Sequence, residues 1–388
     1  MISVKSESLC LCPAQPIHES PLTMKRDYSK FLPSIPPAES PEHPLSTLRS
    51  FGWGPFFAQQ TSVEDLAETP PVRITEVHRN AMRVIGDDID SSIPPRPDAT
   101  VGDWLLLDQE TPKISRILER KNVLKRRAPG TDRHEQLIAA NIDTCFIVSS
   151  CNKDFNVARL ERYLALAFEA KITPVILLTK RDLASDTQIY VDRATDISDQ
   201  VPVIALDARN HEAGATLSDW CKPGQTVAFL GSSGVGKSTL ANALSGTDSI
   251  ETQTIREDDA KGRHTTTRRQ LHMVPGGCLV LDTPGMRELQ LTDSASGIDD
   301  VFADIQSIST RCRFSDCHHL TEPGCAVLKA LETGEIDEKR LNRWRKLVAE
   351  DAFNSASLAE RRSKDKAFGK MVRQITKQKS RSKWHGKK

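Results

Sequence analysis

The sequence predicts a multidomain chain: a small antiparallel β-barrel near the N-terminus, a central α/β domain with a mostly parallel sheet, and an α-helical C-terminal domain around a metal-ligand cluster. Three observations carry that reading. Between Pro71 and Arg127, short β-branched runs are separated by Gly, Pro and Asp turns. From His134 onward, apolar runs of strand length alternate with an amphipathic helical pattern. Further on, Cys312, Cys317, His319 and Cys325 fall within one short loop.

Length and composition agree, since 388 residues suffice for two or three domains. No apolar run approaches the roughly eighteen residues of a membrane span, and the N-terminus carries only a short LCLC patch. A soluble, cytoplasmic chain without membrane contact is expected. The nine cysteines, three of them between 312 and 325, read as thiols and a metal cluster rather than a disulfide framework. Residues 361–388 hold 12 basic residues against the single acid Asp365, which leaves 41 basic and 51 acidic residues in the remainder. The tail is built for a polyanion.

In chain order, residues 1–44 hold eight of the 22 prolines among Ser and Glu, without apolar periodicity, and are expected to be disordered. Met24 is an alternative start. Residues 45–130 form the next expected unit. Its lead-in, LSTLRSFGWGPFF, is expected to pack onto the barrel through Phe51, Trp53 and Phe56. The runs VRITEVHR, AMRVIG, VGDWLLLD and KISRILER then suit a barrel of the oligonucleotide-binding (OB-fold) type, as they suit other small barrels. Arg116, Arg120, Lys121, Lys125, Arg126 and Arg127 gather at its C-terminal end, as an RNA-facing edge or a solvated rim.

Residues 131–300 read as the α/β domain. IDTCFIVSS and ITPVILLTK are buried strands, and ARLERYLALAFEAK between them is a helix whose Leu160, Tyr163, Leu164, Ala167 and Phe168 are ordinary core. The segment that dictates chemistry is Gly231–Ser238, GSSGVGKS. Gly231, Gly236, Lys237 and Ser238 fit the phosphate loop, with Ser232, Ser233, Gly234 and Val235 between them, because glycines let backbone N–H groups turn onto an anion. Lys237 reaches the outer phosphates and Ser238 offers its hydroxyl to Mg²⁺. The strand QTVAFL precedes the loop, and a helix from Thr239 to Leu244 adds its N-terminal dipole.

Thr179-Lys180-Arg181-Asp182 ends a parallel strand, where α/β proteins place ligand contacts. A carboxylate at Asp182 can accept from N1–H and the N2 amine of guanine, donors that adenine lacks, and so selects GTP over ATP. Lys180 lays its stem along the base. After the phosphate loop come Gly262-Arg263-His264-Thr265-Thr266-Thr267 and Asp282-Thr283-Pro284-Gly285, a D-x-x-G. Asp282 holds Mg²⁺ through water, the Gly285 N–H senses the γ-phosphate, and Thr266 is favoured to close over the metal. Met286 follows Gly285 where Ras-like proteins carry a water-orienting Gln, which leaves His264 as the nearest candidate for that task. Because T-K-R-D precedes the phosphate loop, the domain reads as circularly permuted. VIALD, Val203–Asp207, then supplies the guanine O6 contact, with Ile204 in place of the usual serine of S-A-x.

Residues 301–360 contain the C-x4-C-x-H-x5-C spacing of Cys312, Cys317, His319 and Cys325, four ligands for a structural Zn²⁺ without an open position. His318 is an equal rival by spacing. Helical patterns follow, with Trp344, Phe368 and Trp384 among Arg and Lys, into the basic tail at 361–388.

T-K-R-D before GSSGVGKS, then GRHTTT, DTPG and CRFSDCHHLTEPGC, resembles the circularly permuted, small-ribosomal-subunit-dependent GTPases of RsgA type, roughly from Leu45 to Phe368. The resemblance implies an OB-fold barrel, a permuted GTPase and a zinc domain. It also implies a cytoplasmic monomer that binds the 30S subunit and its 16S rRNA and hydrolyses GTP late in subunit maturation, with hydrolysis triggering release. By resemblance, Thr179, Lys180, Asp182, Lys237 and Ser238 hold nucleotide, Cys312, Cys317, His319 and Cys325 hold zinc, and His264 lies in the segment linked to hydrolysis. An RNA-binding protein with the GTPase as a nucleotide-sensing scaffold is the alternative. A P-loop ATPase or kinase fits Asp182 and the D-x-x-G poorly.

Overall fold

The computed structural model describes residues 47–112, 115–127, 135–210, 212–245, 269–282, 291 and 293–355. The N-terminal segment expected to be disordered and the basic tail lie outside the described residues. The lead-in folds as three short helices, α1 (Thr47–Ser50), α2 (Pro55–Ala58) and α3 (Val63–Glu68). A capping box opens α3: the Ser62 hydroxyl accepts from the Asp65 N–H while the Asp65 carboxylate accepts from the Ser62 N–H. Phe57 is the aromatic that becomes fully buried, with its ring centroid 5.7 Å from that of Trp104, while Phe51, Trp53 and Phe56 flank it partly exposed. Trp53 meets Trp104 edge-on with ring centroids 4.9 Å apart, and Phe51 and Phe56 pack against the same cluster, so the three expected aromatics do pack onto these strands, with Phe57 added to them.

Five antiparallel strands follow, β1 (Pro71–Val77), β2 (Met82–Gly86), β3 (Ile89–Ile93), β4 (Trp104–Leu106) and β5 (Arg116–Ile117). They run in the order β3-β2-β1-β4-β5 over a core of Val72, Ile74, Met82, Val84, Ile93 and Leu105. β3 has no counterpart in the sequence reading because its exposed Asp90-Ser91-Ser92 centre shows no apolar alternation. β6 (Val123–Arg127) and β7 (Glu135–Ala140) form a separate antiparallel ribbon. Several of the basic residues near its start are already engaged. Arg116 pairs with Asp65 at 2.8 Å, and Lys125 with Glu135 at 3.0 Å. Arg120 grips the buried carboxylate of Asp103 from Nε at 2.7 Å and Nη2 at 2.8 Å. Arg120 therefore helps hold the fold by pairing with a buried carboxylate.

The α/β part contains β8 (Thr144–Ser150), α4 (Val157–Glu169), β9 (Thr173–Thr179), α5 (Gln188–Thr195), β10 (Val203–Ala205), α6 (Glu212–Thr216), β11 (Thr226–Gly231), α7 (Lys237–Ser245), β12 (Arg269–Met273) and β13 (Leu279–Asp282). Strands β10-β9-β8-β11-β13 are parallel in that order, and β12 pairs antiparallel with β13. Both faces are covered. Cys145 and Ile147 enter one core while Phe146 and Val148 enter the other, and β9 and β11 alternate in the same way. That is why these strands read as continuous apolar runs.

The sheet does not stop at β12. β1 pairs with it antiparallel, Glu76 opposite Gln270 and Val77 opposite Arg269, so the N-terminal antiparallel strands and the α/β strands share one sheet. Buried Arg73 fastens the same junction, donating to the carbonyls of Phe51, Gly102 and Asn141 and to the Thr226 hydroxyl at the start of β11. Burial lowers its guanidinium to about 10, still charged at neutral pH.

The C-terminal helices are α8 (Ala295–Val301), α9 (Ala303–Ser309), α10 (Ala326–Glu332) and α11 (Glu338–Ser355). α8 lies directly on α4: a Cβ at Gly297 would sit 2.0 Å from the Ala165 carbonyl oxygen, so only glycine permits this approach. α11 is bound to α4 by charge. Arg343 Nε donates to both oxygens of the fully buried Glu161 at 2.8 Å, and Arg340 bridges to Asp304. The C-terminal helices are thus held to the α/β domain by side chains as well as by the chain itself. Among the described residues no helix is long and apolar enough to cross a membrane.

Candidate nucleotide site and metal centre

Parallel pairing places the carboxyl ends of β8, β9, β10, β11 and β13 along one edge of the sheet. The phosphate loop leaves β11 there. Gly231 has φ +150°, and a Cβ on it would lie 2.4 Å from the Val148 carbonyl; Gly236 has φ +99° and backs onto Thr179 and Ala208. Val235 is buried and anchors the loop, while Ser233, Gly234 and Ser238 are exposed at its mouth. α7 begins at Lys237, so the N–H groups of its first turn face the same opening. The Lys237 ammonium folds back to the carbonyls of Gly231, at 2.8 Å, and Ser232. On the flank, Arg159 at the start of α4 donates to the Ser232 hydroxyl at 2.5 Å.

The T-K-R-D segment reaches the loop from β9. Thr179 is fully buried, and its hydroxyl lies 2.6 Å from the Val235 carbonyl and 3.2 Å from that of Ser149. Its side chain thus braces the phosphate loop. Lys180 sits in the left-handed region at φ +57°, which turns the chain sharply into a 3-10 turn at Arg181–Leu183 that presents Asp182. Arg181 reaches back toward the Ala205 carbonyl. Ile204 lies inside β10 and packs into the core, so it is not the residue that replaces the serine of S-A-x. The loop arriving at the pocket is Asp207-Ala208-Arg209, with the Ala208 Cβ 3.8 Å from the Cβ position at Gly236.

Asp282 ends β13 at the same edge, its backbone opposite Gln270. His264, Thr265, Thr266, Thr267 and Gly285 lie outside the described residues.

At the C-terminal cluster, the ligand atoms of Cys312, Cys317, His319 and Cys325 lie within 4.8 Å of one another. His319 Nδ1 is 3.5 Å from Cys312 Sγ and 3.4 Å from Cys325 Sγ, and those two sulfurs are 3.9 Å apart. Bonds of about 2.3 Å to sulfur and 2.0–2.1 Å to nitrogen in tetrahedral geometry give separations of this size, so the donor set fits zinc. His318 is exposed and outside this group. The turn that separates the two histidines is held by Glu322, whose carboxylate accepts from the N–H groups of His318, Leu320 and Thr321 at 3.0, 2.7 and 3.0 Å. With its own N–H and those of the turn, that carboxyl is held down to about 2. His319 itself has φ +58°.

The RsgA GTPase family profile matches residues 117–292. A curated relative from Vibrio vulnificus strain CMCP6, small ribosomal subunit biogenesis GTPase RsgA 2, is 46% identical over 340 residues, covering 87% of this chain and 97% of the relative. One from Mesorhizobium japonicum, small ribosomal subunit biogenesis GTPase RsgA, is 49% identical over 317 residues, covering 80% and 91%. The chain belongs to the RsgA GTPase family. Among solved structures, YjeQ from Thermotoga maritima matches with TM-score 0.52 and 26% identity, over 72% of this chain and 97% of that one. YloQ, described as a circularly permuted GTPase, matches with TM-score 0.51 and 27% identity, over 74% and 97%.

As an RsgA GTPase, the chain is a GTP hydrolase built on a permuted order of elements. The parallel edge explains how a permuted order can keep one site: T-K-R-D, the phosphate loop and the end of β13 meet there whatever their sequence order. Four residues at these sites are absent from the sequence reading. Arg159, Arg209 and Ala208 are recognisable only once β8 to β11 are paired, whereas Glu322, three residues after His319, follows a turn-stabilising spacing that the sequence displays.

Proposed function

We propose that this RsgA GTPase binds the 30S subunit through 16S rRNA, hydrolyses GTP to GDP and phosphate late in small-subunit maturation, and leaves the subunit on hydrolysis. The observation that carries this reading is the meeting of the phosphate loop, Asp182 and the end of β13 at one sheet edge. In this reading the backbone of Gly231, Ser232, Ser233, Gly234, Val235 and Gly236 cradles the phosphates, with Ser238 and Thr239 at the head of α7. Lys237 leaves the loop carbonyls for the outer phosphates, Asp182 reads guanine, and Lys180 and Arg181 flank the base. Ser238, Thr266 and Asp282 hold Mg²⁺, which when bound neutralises phosphate charge. His264 orients the attacking water.

Cys312, Cys317, His319 and Cys325 hold one structural zinc, which ties α9 to α10. The strands from residue 71 serve as an OB-fold RNA reader, and the tail at 361–388 adds charge; the protein works as a cytoplasmic monomer. Release follows from loss of the γ-phosphate at Gly285, which frees the segment leading to α8. The test is co-sedimentation with 30S subunits at fixed salt. Retention with a non-hydrolysable GTP analogue, weaker retention with GDP and none specific to ATP support the proposal. Equal retention with all three nucleotides contradicts it and favours an RNA-binding scaffold.

A further inference from the structure

The carboxylate assigned to guanine already has a partner. Arg209 Nη2 donates to Asp182 Oδ2 at 2.5 Å. The same guanidinium is shared with Asp207, from Nε to Oδ1 at 3.2 Å and from Nη2 to Oδ2 at 3.3 Å, and the Arg209 N–H donates to Asp207 Oδ1 at 3.0 Å. Asp207 therefore fixes the arginine at the mouth of the pocket. Arg181, the other nearby guanidinium, is turned toward the Ala205 carbonyl instead.

Guanine offers a carboxylate the N1–H and the N2 amine, two N–H donors on one carbon of an amidine. A guanidinium offers donors of the same kind. Both draw on the same carboxylate, so the Arg209 hydrogen bond to Asp182 Oδ2 competes with the base for its charge and lone pairs. We propose that Arg209 is an internal competitor for guanine: it occupies Asp182 in the empty site and withdraws onto Asp207 when the base enters. Arg209 then determines both affinity and selectivity. A base with two donors replaces the arginine's hydrogen bond, whereas adenine, lacking them, would have to displace the arginine without satisfying the carboxylate. GDP and GTP present the same base, so the competition weakens both alike and leaves their ratio unchanged.

The size of the effect is bounded by exposure. The pair has side-chain exposures of 67% for Arg209 and 28% for Asp182, which puts it in the class of partly screened surface ion pairs. Removing Arg209 should tighten guanine nucleotides about two- to fivefold, not by orders of magnitude. The inference rests on Asp182 being the base-reading carboxylate.

The test is titration of fluorescent GDP and GTP into the full chain and its Arg209→Ala and Arg209→Gln variants, at low and high salt, with thermal melts as a check on folding. The expected result is a two- to fivefold tighter Kd for both nucleotides in both variants at low salt, shrinking toward the parent value as salt rises, with an unchanged GDP to GTP ratio. Unchanged or weaker binding in well-folded variants overturns the competition. Failure of the parent protein to bind any guanine nucleotide overturns instead the assignment of Asp182 on which it rests.

Discussion

Thr179→Val exchanges a hydroxyl for a methyl of nearly equal volume at a fully buried position, so it removes a hydrogen bond without opening a cavity. The hydroxyl has one proton and two acceptors, Val235 O at 2.6 Å and Ser149 O at 3.2 Å, and the shorter contact is to the phosphate loop. Deleting a buried donor of this kind costs about 1–2 kcal/mol. If the whole cost falls on the nucleotide-competent loop, GTP and GDP affinity drop about 5- to 30-fold. Thr179→Ser keeps the hydroxyl and gives up only the methyl, which lies 3.7 Å from the Cβ position at Gly236, so it should bind within about threefold of the parent. Fluorescent-nucleotide titration of both variants, with a melt to confirm folding, is the assay. Parent-like affinity in Thr179→Val, or equal weakness in both variants, refutes Thr179 as a brace of the loop.

Asp182→Asn should abolish the preference for GTP over ATP, because the amide offers one acceptor where guanine presents two donors; competition titrations read this, and retained preference removes Asp182 from the site. Lys237→Ala should reduce GTP turnover at least about tenfold by removing the phosphate-facing ammonium, and single-turnover hydrolysis at saturating GTP decides it. Elemental analysis should find about one zinc per chain, lost in Cys325→Ser and His319→Ala but kept in His318→Ala; loss only in His318→Ala would exchange the two histidines. Arg343→Met strips the buried Glu161 of its closest partner and should weaken docking of α11 by about 3 kcal/mol, read as faster hydrogen exchange in α11. Glu161→Leu combined with Arg343→Met should recover most of that loss.

The α/β core was legible because its strands are buried on both faces and so read as uninterrupted apolar runs, from Thr144–Ser150 to Leu279–Asp282. The phosphate loop and T-K-R-D were legible for a different reason: each needs particular residue types at fixed spacing within a few residues. What escaped depends on pairing across distance. Arg209 meets Asp182 only because β10 lies beside β9, and β1 meets β12 only through a junction that neither strand's own pattern reveals. Ile204 was misplaced in the S-A-x role because the end of β10 cannot be read from VIALD, where apolar residues continue past Ala205. The two histidines could not be separated by spacing; the left-handed turn at His319, tied by Glu322, separates them in space.

We propose that GTP hydrolysis at this sheet edge is governed by the small ribosomal subunit. Its most direct test is the rate of GTP turnover by the full chain alone and with purified 30S subunits. The expected result is slow intrinsic turnover that rises at least about tenfold on 30S addition, disappears in Lys237→Ala and is not reproduced with ATP. A rate indifferent to 30S subunits, with GTP bound and hydrolysed normally, would contradict it.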